Sequence, residues 1–379
     1  MKNVKIKKLM FLFFIQVFLI FDLCSCTSSE PSNKKSLLLN SVKEETTSIE
    51  DAKDIPLALV KYDGKWGVID QKGTWVVEPN LDYKKVLPPS EGLALAQSSN
   101  GKWGFIDKMG DWVIEPKFNP THGELGVLGF NEGVAFICIN GNYGLIDTKG
   151  EWIIEPKFFD AYSFSEGLAN VYLSEQGYFY INKEGEEVLK LEDKNAYDVI
   201  SYFSEGLLLR ENDNWKVGFI NKQGQWVIEA KFDRGSKFSE ELAGVEYEGT
   251  WGFIDNTGDW AIKPKYDSVS YFKEGLAAVE VNNKYGIINK NGQWIIKPKH
   301  DYIEMIDGYS EGMISVKINN KYGYLNKNGE LAIKAKFDLT SAFSNNLAIV
   351  KSDEKYGYID KEGNYVIKPI FELAFKFID

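Results

Sequence analysis

Histidine is almost missing from this chain of 379 residues: His122 and His300 are the only two, beside three cysteines at 24, 26 and 138. Zinc chemistry built on imidazole and thiolate, and a disulfide framework, are thereby all but excluded. Positive charge is also in deficit. Lys and Arg number 44 against 55 Asp and Glu, a net charge of −11, and the pI is about 5.0. An acidic surface repels phosphate backbones, so no nucleic-acid partner is expected. What the chain does have is aromatic residues, 14% of the total, and 34 glycines. That pairing points to β-structure with many turns. The length is far beyond that of a small stapled scaffold.

The N-terminus reads as an address. Lys2, Lys5, Lys7 and Lys8 precede an apolar run from Leu9 to Phe21, thirteen residues interrupted only by Gln16. Such a run is short for a bilayer span and suits the hydrophobic part of a signal peptide. Leu23-Cys24-Ser25-Cys26 follows. It resembles the bacterial lipobox, which implies cleavage before Cys26 and lipid attachment to its sulfur. An ordinary secretory signal and an uncleaved anchor are the competing readings. The expected organisation is a lipoprotein signal over 1–25, a flexible polar tether over 26–53 and a repeat domain over 54–379. The expected location is the bacterial cell envelope, with the chain anchored to a membrane and facing the periplasm or the cell surface. Leu37 to Leu39, an apolar patch in the tether, offers a capping strand for the domain.

Internal repetition fills the rest, and it governs the fold. KWGFIDKMGDWVIEPKF, from Lys102 to Phe118, recurs as KWGVIDQKGTWVVEPN from Lys65, NYGLIDTKGEWIIEPKF from Asn142, TWGFIDNTGDWAIKPKY from Thr250 and KYGIINKNGQWIIKPKH from Lys284. Copies from Lys321 and Lys355 follow, with eroded ones from Tyr178 and Lys216. The glycine after the aromatic stands at 67, 104, 144, 218, 252, 286, 323 and 357, and Phe179 replaces it in the fourth copy. Between these blocks lies a second element, as in Ser165-Glu166-Gly167-Leu168 and Ser310-Glu311-Gly312-Met313, preceded by an aromatic. The nine copies resemble the bacterial WG-repeat (KWG-repeat) family. The resemblance implies an extracytoplasmic, non-catalytic repeat protein and no particular ligand. The fourth copy departs from the pattern, having lost both Trp positions and the Glu/Lys-Pro step.

One copy shows the expected structure. Leu276 to Val281 is a strand, Asn282-Asn283-Lys284 a turn, and Tyr285 to Ile288 a second strand. Asn289-Lys290-Asn291-Gly292 matches a type I turn followed by a left-handed Gly. Gln293 to Lys297 is a third strand, which Pro298 ends or marks as an edge. His300 to Asp307 is irregular or a short fourth strand. In the second copy Trp112, Ile114 and Phe118 fall on one face of the third strand, while Val113, Glu115 and Lys117 fall on a half-solvated face. The strand glycine is expected to receive an aromatic ring from a neighbouring strand or repeat. All ten tryptophans lie in the repeats and are expected to be mainly core.

A lone meander cannot cover its aromatic face, so the copies must lean on one another. The fold class is all-β, a tandem array of about nine hairpin or meander repeats. An open twisted or solenoid-like array is the expected form and a β-propeller the alternative. The repeat is short for a blade, nine exceeds the usual count, and no circular offset is visible at the chain ends.

No catalytic constellation emerges. The hairpin Asx is Asp at 70, 107, 147, 255 and 360 but Asn at 182, 221, 289 and 326, which fits a turn better than calcium. Gly308-Tyr309-Ser310-Glu311-Gly312 spells the G-x-S-x-G of a nucleophile elbow without its strand–helix context. Glu115, Glu155 and Glu229 share a repeat position with Lys263, Lys297, Lys334 and Lys368, which reads as a solvated face with charge graded along the array. Cys138 is expected to be a buried small hydrophobe, and His122 and His300 exposed loop residues. The chain is expected not to be an enzyme, with no catalytic residues, cofactor or metal. Its expected function is binding or scaffolding of proteins, with Cys26 lipidated. Carbohydrate binding by ring stacking and a purely structural envelope role are the alternatives.

Overall fold

The computed structural model describes residues 55–121, 123–190, 202–305 and 308–378. The signal, Cys26, the tether and His122 lie outside these residues. The described chain forms nine small antiparallel sheets. In the copy around Gly286 the long strands are Leu276–Val281, Lys284–Asn289 and Trp294–His300. Asn282 and Asn283 take φ of 52° and 57°, the two positive values a type I′ hairpin needs. The Asn289–Gly292 turn has the expected bulge: Gly292 N–H donates to Asn289 O at 2.9 Å, Gly292 has φ 70°, and Ile288 then faces Trp294.

Two local expectations change. Pro298 does not end the third strand. Ile287 pairs with Ile296 and Tyr285 with His300, so the Lys297-Pro298-Lys299 segment bulges out opposite Gly286 and pairing then resumes. The space beside Gly286 is filled chiefly by this bulge. A Cβ there would lie 2.6 Å from Ile296 O and 2.9 Å from both Pro298 N and Trp294 Cζ3. A ring does contribute, from the same sheet. The short segment after the third strand, Tyr302–Ile303, joins the following sheet, where it pairs with Met313–Ile318. Eight of the nine sheets thus take their first strand from the chain leaving the preceding sheet, and the sheet of Leu208–Glu211, Val217–Ile220 and Trp226–Phe232 shows three strands among the described residues.

That borrowing closes a ring. The last short strand, Leu373–Ala374, pairs with Leu57–Tyr62 of the first sheet, giving the order third, second, first long strand, then C-terminal strand. Leu57 and Ile378 exchange backbone hydrogen bonds at 2.9 Å. The open array is therefore replaced by the alternative, a nine-bladed β-propeller. The circular offset lies in the final few residues, a two-strand-residue patch too short for the repeat pattern to reveal. Blades are numbered here from the N-terminus.

The core sits between blades. One cluster joins Tyr324, Ile333 and Phe337 of blade 8 to Phe343, Ala348, Val350 and Ile359 of blade 9. Another joins Tyr358, Ile367 and Phe371 of blade 9 to Ala58, Val60, Ile69 and Trp75 of blade 1. Each Val, Ile and Phe among them contributes about 1.5–3 kcal/mol on burial, and the clusters draw on two blades at a time. The hairpin glycine of one blade seats on the third-strand aliphatic of the preceding blade, as Gly292 on Ile262, Gly363 on Ile333 and, across the seam, Gly73 on Ile367. The eroded fourth copy still makes a blade, with strands Ala169–Leu173, Gly177–Ile181 and Glu187–Lys190.

Candidate binding surface

Polar chemistry on this ring falls into two sets, one that links blades and one that faces solvent. The linking set is the aromatic-Ser-Glu-Gly turn. Glu91, Glu132, Glu166, Glu205, Glu240, Glu274 and Glu311 all have φ between 50° and 54°. A left-handed Glu is strained at a place where Asn is favoured. The carboxylate accounts for it. Glu132 accepts from Gly167 N–H at 2.9 Å, Glu240 from Gly275 N–H at 2.9 Å and Glu274 from Gly312 N–H at 2.9 Å, each in the next blade. Lysines of the following hairpin complete the link, with Lys327–Glu274 at 3.1 Å and Lys361–Glu311 at 3.1 Å. The serine joins as well: Ser165, Ser204, Ser239 and Ser310 each donate Oγ–H to the carbonyl of the next blade's turn aromatic at 2.7–2.8 Å. Burial alone would raise the pKa of Glu274. Lys327 and the Gly312 amide outweigh it, so the carboxyl titrates below its ordinary value.

These bonds place the sequence candidates. Ser310 spends its hydroxyl on Phe343 O at 2.8 Å, so the G-x-S-x-G segment is a blade-to-blade clasp. The hairpin Asx side chains bond in one way whether charged or neutral. Asp107 Oδ1 accepts from Met109 and Asp111 N–H at 2.9 and 3.0 Å, and Asn289 Oδ1 from Asn291 and Gln293 N–H at 3.1 and 3.0 Å. The turn reading explains both. Cys138 is buried, as expected. His300 is not an exposed loop residue. It ends a third strand where most other copies carry Phe or Tyr and the first carries Leu81, and is half-buried with Nε2 unpartnered among the described residues. Burial first, then Lys299, lowers its pKa against the pull of Asp301. It borders a shallow cleft of 220 Å³ with Lys299, Asp301, Lys317 and Ile318, where Asp301 is paired with Lys284 at 2.5 Å.

The solvent-facing set lies on the third strands, which form one edge of every sheet. Their burial alternates as expected. In blade 2, Val113, Glu115 and Lys117 are exposed, while Ile114 and Phe118 are buried. The same face carries Ile153, Glu155 and Lys157 in blade 3, and Ile295, Lys297 and Lys299 in blade 7. The bulge opposite the strand glycine, with proline in six blades and alanine in blades 5 and 8, spoils these edges for pairing with another strand, which is how exposed sheet edges are commonly protected. Tryptophan is less uniformly core than expected. Trp66, Trp75 and Trp103 are buried, but Trp226 and Trp294 on the edges are exposed and Trp215 is 59% exposed at a turn. Phe159, 67% exposed, stands where other copies carry the Asp that pairs with a strand lysine, as Asp301 pairs with Lys284 at 2.5 Å.

Sequence reasoning saw the aromatic-Ser-Glu-Gly turn but missed its role as a link between blades. The signal was present: a glutamate recurring at the first central position of a turn that prefers asparagine.

A family profile described as "WG containing repeat" matches residues 66–103, 103–143, 143–174, 218–251, 251–285, 285–322, 322–356 and 356–379. The gap, 175–217, covers the second and third strands of blade 4, its exit and the first strand of blade 5. No curated protein matches. Among solved structures, the chain is similar to the computationally designed Ika8 protein (11% identity, TM-score 0.43, covering 73% of this chain and 92% of that one). BamB from Moraxella catarrhalis is similar at 13% identity and TM-score 0.42, covering 74% and 94%. AztD of Citrobacter koseri is similar at 11% identity and TM-score 0.41, covering 84% and 97%.

Proposed function

Because this chain belongs to the WG-containing repeat family and closes nine of its copies into one ring, we propose that it is a non-catalytic binding or scaffolding module for proteins, held by a lipid on Cys26 at a bacterial envelope membrane. The observation that supports the protein-binding reading is the repeated exposed face of the third strands. Aliphatic and charged side chains alternate there on edges blocked against strand addition, a mixed surface suited to side-chain contacts with another protein. Weak contacts on successive blades sum when a partner spans several of them. The serine and glutamate groups that resemble catalytic residues are engaged in holding blades together.

A photo-crosslinking residue at Ile295 in the 379-residue chain, expressed in a bacterial host with lipoprotein processing, tests this. Protein adducts are expected from position 295 and not from Glu362 on the hairpin turns. Equal adducts from both positions, or none from 295, would overturn the reading. Labelled palmitate should enter the chain and fail to enter Cys26→Ala. The second reading, carbohydrate stacking, draws on Phe159 and its neighbour Tyr172 at 6.1 Å. A glycan-array signal abolished by Phe159→Ala would favour it.

A further inference from the structure

The third-strand edges are not equivalent around the ring. Those of blades 6 to 9, Trp260–Tyr266, Trp294–His300, Leu331–Phe337 and Tyr365–Phe371, carry seven lysines and no carboxylate. The lysines are Lys263, Lys265, Lys297, Lys299, Lys334, Lys336 and Lys368, and all are exposed. The other five edges carry Glu78, Glu115, Glu155, Glu187 and Glu229 against Lys117, Lys157, Lys190 and Lys231. Four consecutive basic edges on a protein of net charge −11 are a local feature, and the repulsion among them is a cost that folding does not recover.

Nearby carboxylates bond elsewhere and form no ion pair with these lysines among the described residues. Asp301 pairs with Lys284 at 2.5 Å, and Asp338 pairs with Lys321. Glu330 accepts from Asn326 Nδ2 at 2.8 Å, Asp259 meets Thr257 Oγ1 at 3.3 Å, and Glu372 accepts from Gly64 N–H at 3.2 Å. Lys265 and Lys336 lie over their neighbours Tyr266 and Phe337 at 5.2 and 5.0 Å, and Lys336 also donates to Gly363 O at 3.3 Å. Among the described residues, no edge lysine of blades 6 to 9 has an acidic partner. On the opposite arc, Lys117 has Glu151 at 3.8 Å.

We propose that the third-strand edges of blades 6 to 9 are a docking surface for an acidic polypeptide segment. This rests on the protein-binding reading and names its partner's chemistry. Charge complementarity sets the sign. The neighbours on the same strand face set the class, since Ala261, Ile295, Ala332 and Val366 are exposed beside the lysines and suit apolar side chains interspersed among Asp and Glu. A sugar platform is less well served. Trp294 meets Tyr266 at 85° and Tyr365 meets Phe337 at 82°, so these rings are held edge-on against their neighbours. Lysine lacks the planar fork of arginine and acts as a point charge, which favours many loose contacts over one precise one.

The test is fluorescence anisotropy of labelled poly-L-glutamate with the 379-residue chain. Binding should weaken as salt rises. The fourfold change Lys263→Gln, Lys297→Gln, Lys334→Gln and Lys368→Gln should weaken it at least about tenfold, four weak charge contacts being lost together. Lys117→Gln with Lys157→Gln and Lys231→Gln should change it less than about twofold, and thermal melts should show both variants folded. No binding to wild type, equal loss in both variants, or tighter binding of alginate or polyphosphate would overturn the proposal. The crosslink at Ile295 separates the two readings. Adducts that persist at wild-type yield in the fourfold variant sink the acidic segment and leave protein binding standing. Adducts absent from wild type sink both.

Discussion

Blades 4 and 7 occupy equivalent places in the ring with different sequences. In blade 7 the glycine after Tyr285 lies under the Lys297-Pro298-Lys299 bulge. In blade 4 the equivalent Lys190-Leu191-Glu192 has no proline, and the described part of the strand, which ends at Lys190, shows no bulge there. Phe179 pairs with Lys190 and Tyr180 with Leu189 in regular register, and Phe179 itself takes the glycine position, buried 6.2 Å from Phe158. The repeat's glycine is therefore needed by the bulge that faces it, and where the bulge is lost a large side chain fills the space. Other features survive in blade 4. Gly185 seats on Ile154, Leu189 receives Gly224, and Glu166 reaches Gly206 N–H at 3.0 Å. What is kept is what joins blades, and what is lost belongs to the edge.

The comparison breaks most visibly at Gly286. Gly286→Val puts side-chain atoms against Ile296 O and Pro298 N and should cost about 3 kcal/mol or more, at the upper end of overpacking costs. Urea unfolding measures it. Deleting Lys297 and Pro298 in the same chain should recover part of that loss, since it converts the third strand toward the blade 4 register. If Gly286→Val proves neutral, glycine and bulge are independent.

A smaller effect sharpens the likeness. Ile296 and Leu189 each hold the hairpin glycine of the next blade, Gly329 and Gly224. Ile296→Ala and Leu189→Ala should each cost about 2–4 kcal/mol, the range for truncating a buried aliphatic. A negligible loss at Leu189 in urea unfolding would show that blade 4 contributes little to the ring.

The strands were legible because their signals are local. Trp112 to Phe118 alternates, Asn289 to Gly292 has turn chemistry, and both behave as read. Closure was not legible, because it depends on Leu373 and Ala374 meeting Val60 and Lys61 from the far end of the chain, and a two-residue pairing leaves no pattern. The bulge was hidden for a related reason: Pro298 interrupts a ladder as well as ending one, and only His300 pairing with Tyr285 distinguishes the two. For the binding surface, the exchange of Glu115, Glu155 and Glu229 for Lys263, Lys297, Lys334 and Lys368 was visible as a gradient. Its weight comes from Lys265, Lys299 and Lys336 beside them, and from the engagement of the nearby carboxylates elsewhere, which only packing reveals.

The smallest expected effect concerns the turn glutamates, which blades 4 and 7 share: Glu166 with Lys222 at 3.3 Å, and Glu274 with Lys327 at 3.1 Å. Glu274→Gln keeps an acceptor for Gly312 N–H and loses the charge that Lys327 sees. The carboxylate is partly solvated, so the expected loss at neutral pH is about 0.5–1 kcal/mol. The pH dependence identifies the cause. The folded-state pKa of Glu274 lies below its ordinary 4.5, so the folded protein holds its proton less tightly than the unfolded chain does. The stabilisation is then fully present above the ordinary value and fades as pH falls through the depressed one. Urea midpoints of wild type and Glu274→Gln should differ at pH 7 and converge as the pH falls through the depressed pKa. A difference that stays constant across that range would assign the loss to the strained left-handed turn instead of to the charge.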